Sequence, residues 1–310
     1  MRAFIVFLAF QMVMIPGWVS ASHGPSDHVL FEKNSLYQFI SVEENSDKRE
    51  RYILFNNSGA DQDRGIQGGI YIDDPETLLF EYTRMSFVSL AFIDREPEDV
   101  LFVGLGAGAM PKYFYKYYRD ANIDIVELDP DVLEVAEEYF YFSEKENMKV
   151  HIMDGRVFIK RTPKKYDMIF LDAYRGDQIP FHLTTREFLK EVKKKLKKGG
   201  VVISNITAES KNQYFWSMIK TYWKEFPLLS IFRGENSRNF IFVAPMGNPG
   251  LKASVILTQA ENVQASKGID LSQITTWSWD YQKNNSKIYR VRTLTDDYAP
   301  VNLLQYKKMK

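Results

Sequence analysis

The sequence predicts an α/β protein: a parallel sheet covered by helices on both faces, preceded by a small antiparallel β unit. Two observations carry this. From residue 97 onward, short apolar runs alternate with helix-period segments, which is the pattern of strands buried on both faces between crossover helices. Before that point the chain offers only short β-prone runs separated by polar, turn-rich stretches. The length of 310 residues accommodates two such units at roughly 150 residues each.

The elements follow in order. Arg2 precedes the apolar run Ala3 to Ile15, then Pro16, Gly17 and the small residues Val19-Ser20-Ala21. This is the pattern of a cleaved export signal, and the run is shorter than the roughly 20 apolar residues that span a bilayer. The expectation is an exported, periplasmic or secreted protein without stable membrane insertion after cleavage, with a retained anchor as the alternative. Strand-type runs at Tyr37 to Val42, Arg51 to Phe55 and Gly69 to Ile72 make the antiparallel unit. Glu76 to Ile93 reads as a linking helix, and Pro97 opens the next domain. Strands are expected at Val100 to Gly104, Ile123 to Asp129, Val150 to Asp154, Met168 to Asp172 and Val201 to Asn205. Helices are expected at Ala109 to Tyr118, Pro130 to Phe140 and Thr185 to Lys198, followed by a closing hairpin from Leu228 to Pro245 and a last helix at Lys252 to Ser266. Domain boundaries are thus 1–21 (leader), 22–96, 97–248 and a C-terminal extension 249–310. The lysines at 193–195, 197 and 198 read as a solvated helix face and end.

Composition removes whole classes of chemistry. Forty basic and forty acidic residues give no global field for nucleic acid or anionic membranes. The absence of cysteine excludes disulfides, thiolate metal sites and cysteine nucleophiles, and the four histidines have no metal-ligand spacing. No metal is expected. Tyr113, Phe114, Tyr117 and Tyr118 recur at helical spacing and read as core.

In an open parallel sheet, ligands bind beyond the carboxyl ends of the strands. The first strand ends in Gly104-Leu105-Gly106-Ala107-Gly108 and opens into a helix, presenting bare backbone N–H groups. The second ends at Glu127, placed about 20 residues on, where a carboxylate accepts from both ribose hydroxyls. The third ends Asp154-Gly155, a carboxylate at the height of a purine amino group beside a glycine that admits a flat ring. The fourth ends at Asp172, at the centre of the cleft, where a catalytic base would stand. A nicotinamide cofactor uses the same geometry, but its Gly-x-Gly-x-x-Gly turn has the third glycine one position later than here.

With these residues the chain resembles the spermidine synthase family, polyamine aminopropyltransferases, over about residues 35–205. The resemblance implies a Rossmann-like class I methyltransferase sheet with a small N-terminal antiparallel β domain. Ser35-Leu36-Tyr37-Gln38-Phe39-Ile40-Ser41-Val42 is similar to the family motif Ser-x-Tyr-Gln-x-Ile-x-Val, and Leu294 to Asn302 resembles the C-terminus of bacterial relatives, including some fused to membrane segments. It implies that Gln38, Gly104, Gly106, Gly108, Glu127, Asp154 and Gly155 bind a nucleoside co-substrate, S-adenosylmethionine or its decarboxylated form. Asp172 would be catalytic, and Gln67, Tyr174 and Arg175 would face a small-molecule acceptor. A homodimer is compatible with it.

The departures bear on substrate. The family's glycine turn carries an aspartate for the cationic aminopropyl group where this chain has Ala107. Its Asp-Ser-Ser-Asp-Pro loop reads Asp172-Ala173-Tyr174-Arg175-Gly176 here, setting a cation where a second carboxylate stands. Its Tyr-His-Glu helix is matched by Phe80-Glu81-Tyr82, which takes further polar groups from a polyamine site. Arg175 could recruit an acceptor bearing a carboxylate or phosphate. Three readings stay open: aminopropyl transfer to an amine, methyl transfer from intact S-adenosylmethionine, and nucleoside binding without turnover.

Overall fold

The computed structural model describes residues 27–56, 65–174, 179–226, 228–247, 252–280 and 285–298. The expected leader (1–21) and Arg175 lie outside the described residues. No helix among those described is long and apolar enough to cross a membrane.

Four antiparallel strands, β1 (His28–Asn34), β2 (Phe39–Asn45), β3 (Glu50–Asn56) and β4 (Gly65–Tyr71), form the first sheet in sequential order. The sequence pattern missed β1, because this edge strand is mostly exposed and carries a bulge between Val29 and Phe31, so it lacks clean alternation. Tyr37 and Gln38, expected as the start of a strand, belong instead to a turn over residues 35–38, and β2 starts at Phe39. Ser35 closes it, its hydroxyl donating to the Gln38 carbonyl (2.9 Å) and accepting from the Tyr37 and Gln38 amides. The linking helix is also shorter than its apolar spacing suggests. Residues 73–80 are irregular, with Thr77 donating to Asp74 and Leu78 bridging to Ile70, and only then follow α1 (Glu81–Ser86) and a 3₁₀ segment (Phe87–Phe92).

The second sheet contains β5 (Asp99–Val103), β6 (Asn122–Glu127), β7 (Met148–Ile152), β8 (Tyr166–Leu171), β9 (Leu196–Thr207), β10 (Ser230–Arg233) and β11 (Asn239–Pro245). Its spatial order is β10-β11-β9-β8-β5-β6-β7, parallel from β9 to β7, with β11 antiparallel to both neighbours. This is the Rossmann-like arrangement of the class I methyltransferases. Val100 and Phe102 belong to the core on one face, Leu101 and Val103 to the core on the other, which is why these strands read as unbroken apolar runs. The helices α2 (Ala109–Tyr117), α3 (Pro130–Tyr139) and α7 (Ala253–Lys267) cover the first face, where Phe114 and Tyr118 are buried. The second is covered by α4 (Gly155–Arg161), α5 (Arg186–Lys194) and α6 (Phe215–Glu225). Two short helices, α8 (Ile274–Trp277) and α9 (Asn285–Arg290), complete the C-terminal part.

The lysine run departs from its expected place. α5 ends at Lys194, and Lys197 lies in β9, its ammonium 2.6 Å from Asp99 and 2.9 Å from Asp167. Asp167 is fully buried and also takes the Arg95 guanidinium and the amides of Glu98 and Asp99. The carboxylates of Glu98, Asp99 and Asp167 lie close enough to hold a cation, but Lys197 and Arg95 already supply the positive charge.

The two sheets share one core. Ile40, Val42, Ile53, Phe55 and Ile70 from the first pack in the same cluster as Leu105, Ala107 and Met110 from the glycine turn and α2. Gly68 permits this approach, since a Cβ there would stand 3.0 Å from the Ala107 Cβ and amide nitrogen. The Ser35 hydroxyl adds a 2.5 Å hydrogen bond to Asp129, the residue that caps α3 after β6.

Candidate functional site

The order of the second sheet reverses at β5, whose neighbours β6 and β8 lead away in opposite directions, so the strand ends there open onto a crevice. Backbone hydrogen bonds run past the strand ends and fix the first loop residues: Gly104 N–H to Val126 O (2.8 Å), Met153 N–H to Glu127 O (2.9 Å), Asp172 N–H to Val103 O (2.9 Å). The crevice is roofed by β4 and the turn before β2, giving a cleft of about 300 Å³ between the sheets.

Its wall contains Gln38, Gly104, Gly106, Glu127, Asp154, Gly155, Asp172, Gln67 and Tyr174, all of them sequence-predicted site residues. Gly108 is not in the wall. It precedes α2 at φ +67°, and a Cβ there would strike the Phe142 ring at 2.6 Å, so it packs α2 against the chain after α3. Gly104 is a glycine for two reasons: its φ is +105°, and a Cβ would lie 2.3 Å from the Asp172 carbonyl oxygen. Gly155 lets α4 start against Val103, whose Cγ1 would be 2.5 Å from an added Cβ.

The Glu127 carboxylate is held by three amides, Leu105 (3.0 Å) on one oxygen and Leu128 (2.8 Å) and Asp129 (3.0 Å) on the other. Burial raises its pKa, with those amides opposing. Its carboxyl lines the cleft beside the glycine turn, where as a carboxylate it would accept from hydroxyls. Asp154 caps α4 through the Val157 amide (2.9 Å) and pairs with His182 Nε2 (2.8 Å). Burial works to raise its pKa, but the Val157 amide and His182 outweigh it, so the carboxyl stays below its ordinary range.

Asp172 differs from both. Desolvation in the cleft pushes its pKa up to about 7, and a single amide, Asn205 Nδ2 at 2.8 Å, works against that rise. Asn205 is itself positioned by Asn239, whose Nδ2 donates to Asn205 Oδ1 (2.8 Å), and its carbonyl accepts from the Tyr174 hydroxyl (3.0 Å). Thr207 donates to that same hydroxyl (3.2 Å). Tyr82 projects from α1 into the wall; burial first, and then the charges of Asp172 and Tyr174, raise its pKa well above the ordinary value. The expectation that Phe80-Glu81-Tyr82 only takes polar groups away is therefore incomplete: Tyr82 keeps a phenol beside Asp172, while Glu81 faces away and accepts from the Glu235 and Asn236 amides.

Sequence reasoning did not assign His182, Asn205, Thr207, Lys211 or Asn239 to the site. Asn205 could have been found as the last residue of an expected strand. His182 comes from a short 3₁₀ segment (Phe181–Leu183) and Lys211 from a turn, neither with a motif.

Comparison with known proteins bears on family and fold. The family model for the spermine/spermidine synthase domain matches residues 79–236. A polyamine aminopropyltransferase of Vibrio vulnificus is 34% identical over 291 residues, covering 89% of this chain and 91% of that protein. The chain belongs to the spermine/spermidine synthase family. Among solved structures, a probable spermidine synthase from Corynebacterium glutamicum has the same fold, with a TM-score of 0.66 and 21% identity over 87% of this chain and 97% of that one. Human methyltransferase-like protein 13 in complex with SAH is also similar, with a TM-score of 0.54 and 25% identity over 72% of this chain and 99% of that one. The same fold therefore occurs in relatives named for aminopropyl and for methyl transfer.

Proposed function

We propose that this protein transfers an aminopropyl group from decarboxylated S-adenosylmethionine to an amine. The observation that carries the reading is the place of Asp172: its carboxylate lines the cleft at the reversal point of the sheet with Tyr82 and Tyr174, held by Asn205 Nδ2 at 2.8 Å, and desolvation there pushes its pKa up to about 7. Displacement at a carbon next to a sulfonium needs little acid catalysis, because the leaving group is already activated; the protein's work is alignment and removal of one amine proton. A carboxylate that titrates near neutral pH is matched to that second task. Glu127 would hold the ribose and Asp154 with Gly155 the adenine edge, while Gln38, from the turn before β2, and Gln67, from β4, stand on the opposite wall. The family relationship supports the same reaction class.

A second reading, methyl transfer from intact S-adenosylmethionine, is favoured by Ala107. This residue is 2% exposed and puts a methyl group in the glycine turn, where no carboxylate would oppose the carboxylate of the intact donor. Incubation of the purified chain with each donor and a primary amine separates the readings by the sulfur product. Methylthioadenosine supports the first reading and S-adenosylhomocysteine the second. Binding of both donors without either product would leave nucleoside binding without turnover. As part of the same proposal the apolar leader exports the protein; an intact Met1 on chain recovered from the cytosol would overturn that part.

A further inference from the structure

The charges lining the cleft are unevenly distributed on the two sides of Asp172. Besides Asp172, the carboxylates in the described wall are Glu127, Asp129 and Asp154, at the ends of β6 and β7. All three are engaged: Glu127 by three amides, Asp129 by Ser35 and the Asp131 amide, Asp154 by the Val157 amide and His182. On the other side, toward β9 and β11, the described wall offers the neutral groups Tyr174, Asn205, Thr207 and Asn239, and no carboxylate. It offers one cation. Lys211 is the single lysine or arginine among the described lining residues. It sits on the turn after β9, its amide donating to the Ala208 carbonyl (2.9 Å), and its exposed ammonium has no ion pair among the described residues.

A protonated α,ω-diamine with one nitrogen at Asp172 and its chain directed toward β9 and β11 would meet there, among the described lining residues, a like charge and no carboxylate. An amine with an anionic far end would meet the opposite situation. We infer that the acceptor is an amine bearing a carboxylate or similar anion a few carbons from the reacting nitrogen, and that Lys211 selects it. The inference rests on the aminopropyl-transfer reading above and deepens it. Sequence reasoning gave an anion-recruiting role to Arg175; Lys211 supplies the charge independently of that residue. In the reaction, the amine lone pair forms an N–C bond to the aminopropyl carbon next to sulfur. The C–S bond breaks with its electron pair going to sulfur, and methylthioadenosine leaves uncharged. The new ammonium gives one proton to Asp172, which releases it to water.

Three acceptors of matched chain length test this: 4-aminobutyrate, butylamine and putrescine, anionic, neutral and cationic at the far end. With decarboxylated S-adenosylmethionine as donor and methylthioadenosine release as readout, 4-aminobutyrate is expected to exceed putrescine by about tenfold in kcat/KM, with butylamine between. Lys211→Glu is expected to reverse that order. Binding of the same amines to the full chain saturated with methylthioadenosine, followed by thermal shift, gives a readout that does not require turnover. Putrescine turned over as well as or better than 4-aminobutyrate overturns the inference and leaves aminopropyl transfer standing. An unchanged order in Lys211→Glu, or no tighter binding of 4-aminobutyrate than of putrescine, overturns it as well. The expected binding order without release from any acceptor supports the selection by Lys211 and removes the transfer reading instead.

Discussion

Replacing Asp172 by asparagine tests the centre of the site through two independent properties. In the unfolded chain this carboxyl ionises near 3.8, and in the folded protein near 7. The native state therefore holds a proton that the unfolded state has lost between those values, and stability falls as pH rises through that window. The difference of about 3 pH units corresponds to about 4 kcal/mol at roughly 1.4 kcal/mol per unit. Asparagine never ionises, and its amide oxygen can still accept from Asn205. The variant is expected to match the wild type in urea unfolding near pH 4 and to exceed it by up to about 4 kcal/mol at pH 8 and above. Activity moves the other way. Loss of a general base costs about 10²- to 10⁴-fold. The wild-type carboxylate fraction rises from roughly one-tenth at pH 6 to nine-tenths at pH 8, so the ratio of wild-type to variant kcat/KM should grow about tenfold over that interval. Taking the ratio cancels the ionisation of the amine itself. A variant with wild-type turnover and a flat ratio, or two proteins with identical pH dependence of stability, would refute the reasoning.

Three further outcomes follow from named contacts. Asn205→Ala removes the one hydrogen bond that lowers the Asp172 pKa, so the pH–rate profile should move to higher pH, measured as kcat/KM between pH 6 and 9. Glu127→Gln removes a charged acceptor; at about 1.5–3 kcal/mol for hydrogen bonds to a charged group, methylthioadenosine should bind roughly tenfold to a hundredfold more weakly by calorimetry. Gly104→Ala forces a side chain into positive φ and onto the Asp172 carbonyl, and should lower stability by about 1–3 kcal/mol or more and depress activity with it.

The fold was legible where burial is two-sided. Residues 100–103 and 168–171 are apolar at every position because both faces of the sheet are covered, and that leaves no other reading. It was least legible at edges and in short pieces. β1 alternates poorly because it faces solvent, and α4 is a seven-residue helix starting at an aspartate whose capping role and ligand role look identical in sequence. The site divides in the same way. The glycine turn, Glu127, Asp154 and Asp172 lie at strand ends that the sequence locates directly. Asn239 reaches Asn205 only through antiparallel pairing of β11 with β9, and His182 reaches Asp154 from a three-residue 3₁₀ segment; neither approach leaves a local pattern. The lysine run shows the opposite failure. Its composition suggests a solvated surface, yet Lys197 neutralises a fully buried aspartate because the helix stops at Lys194.

The contact of Gly68 with Ala107, and of Ser35 with Asp129, makes the seam between the two sheets and the ligand cleft a single structure. A nucleoside seated there would touch both halves, so its binding energy also acts as adhesion across the seam. By reciprocity, parting the seam costs the ligand the same coupling free energy with which the ligand holds the seam closed, so a change in the amino-terminal sheet that populates the parted state lowers affinity even when it lies nowhere near the reacting atoms.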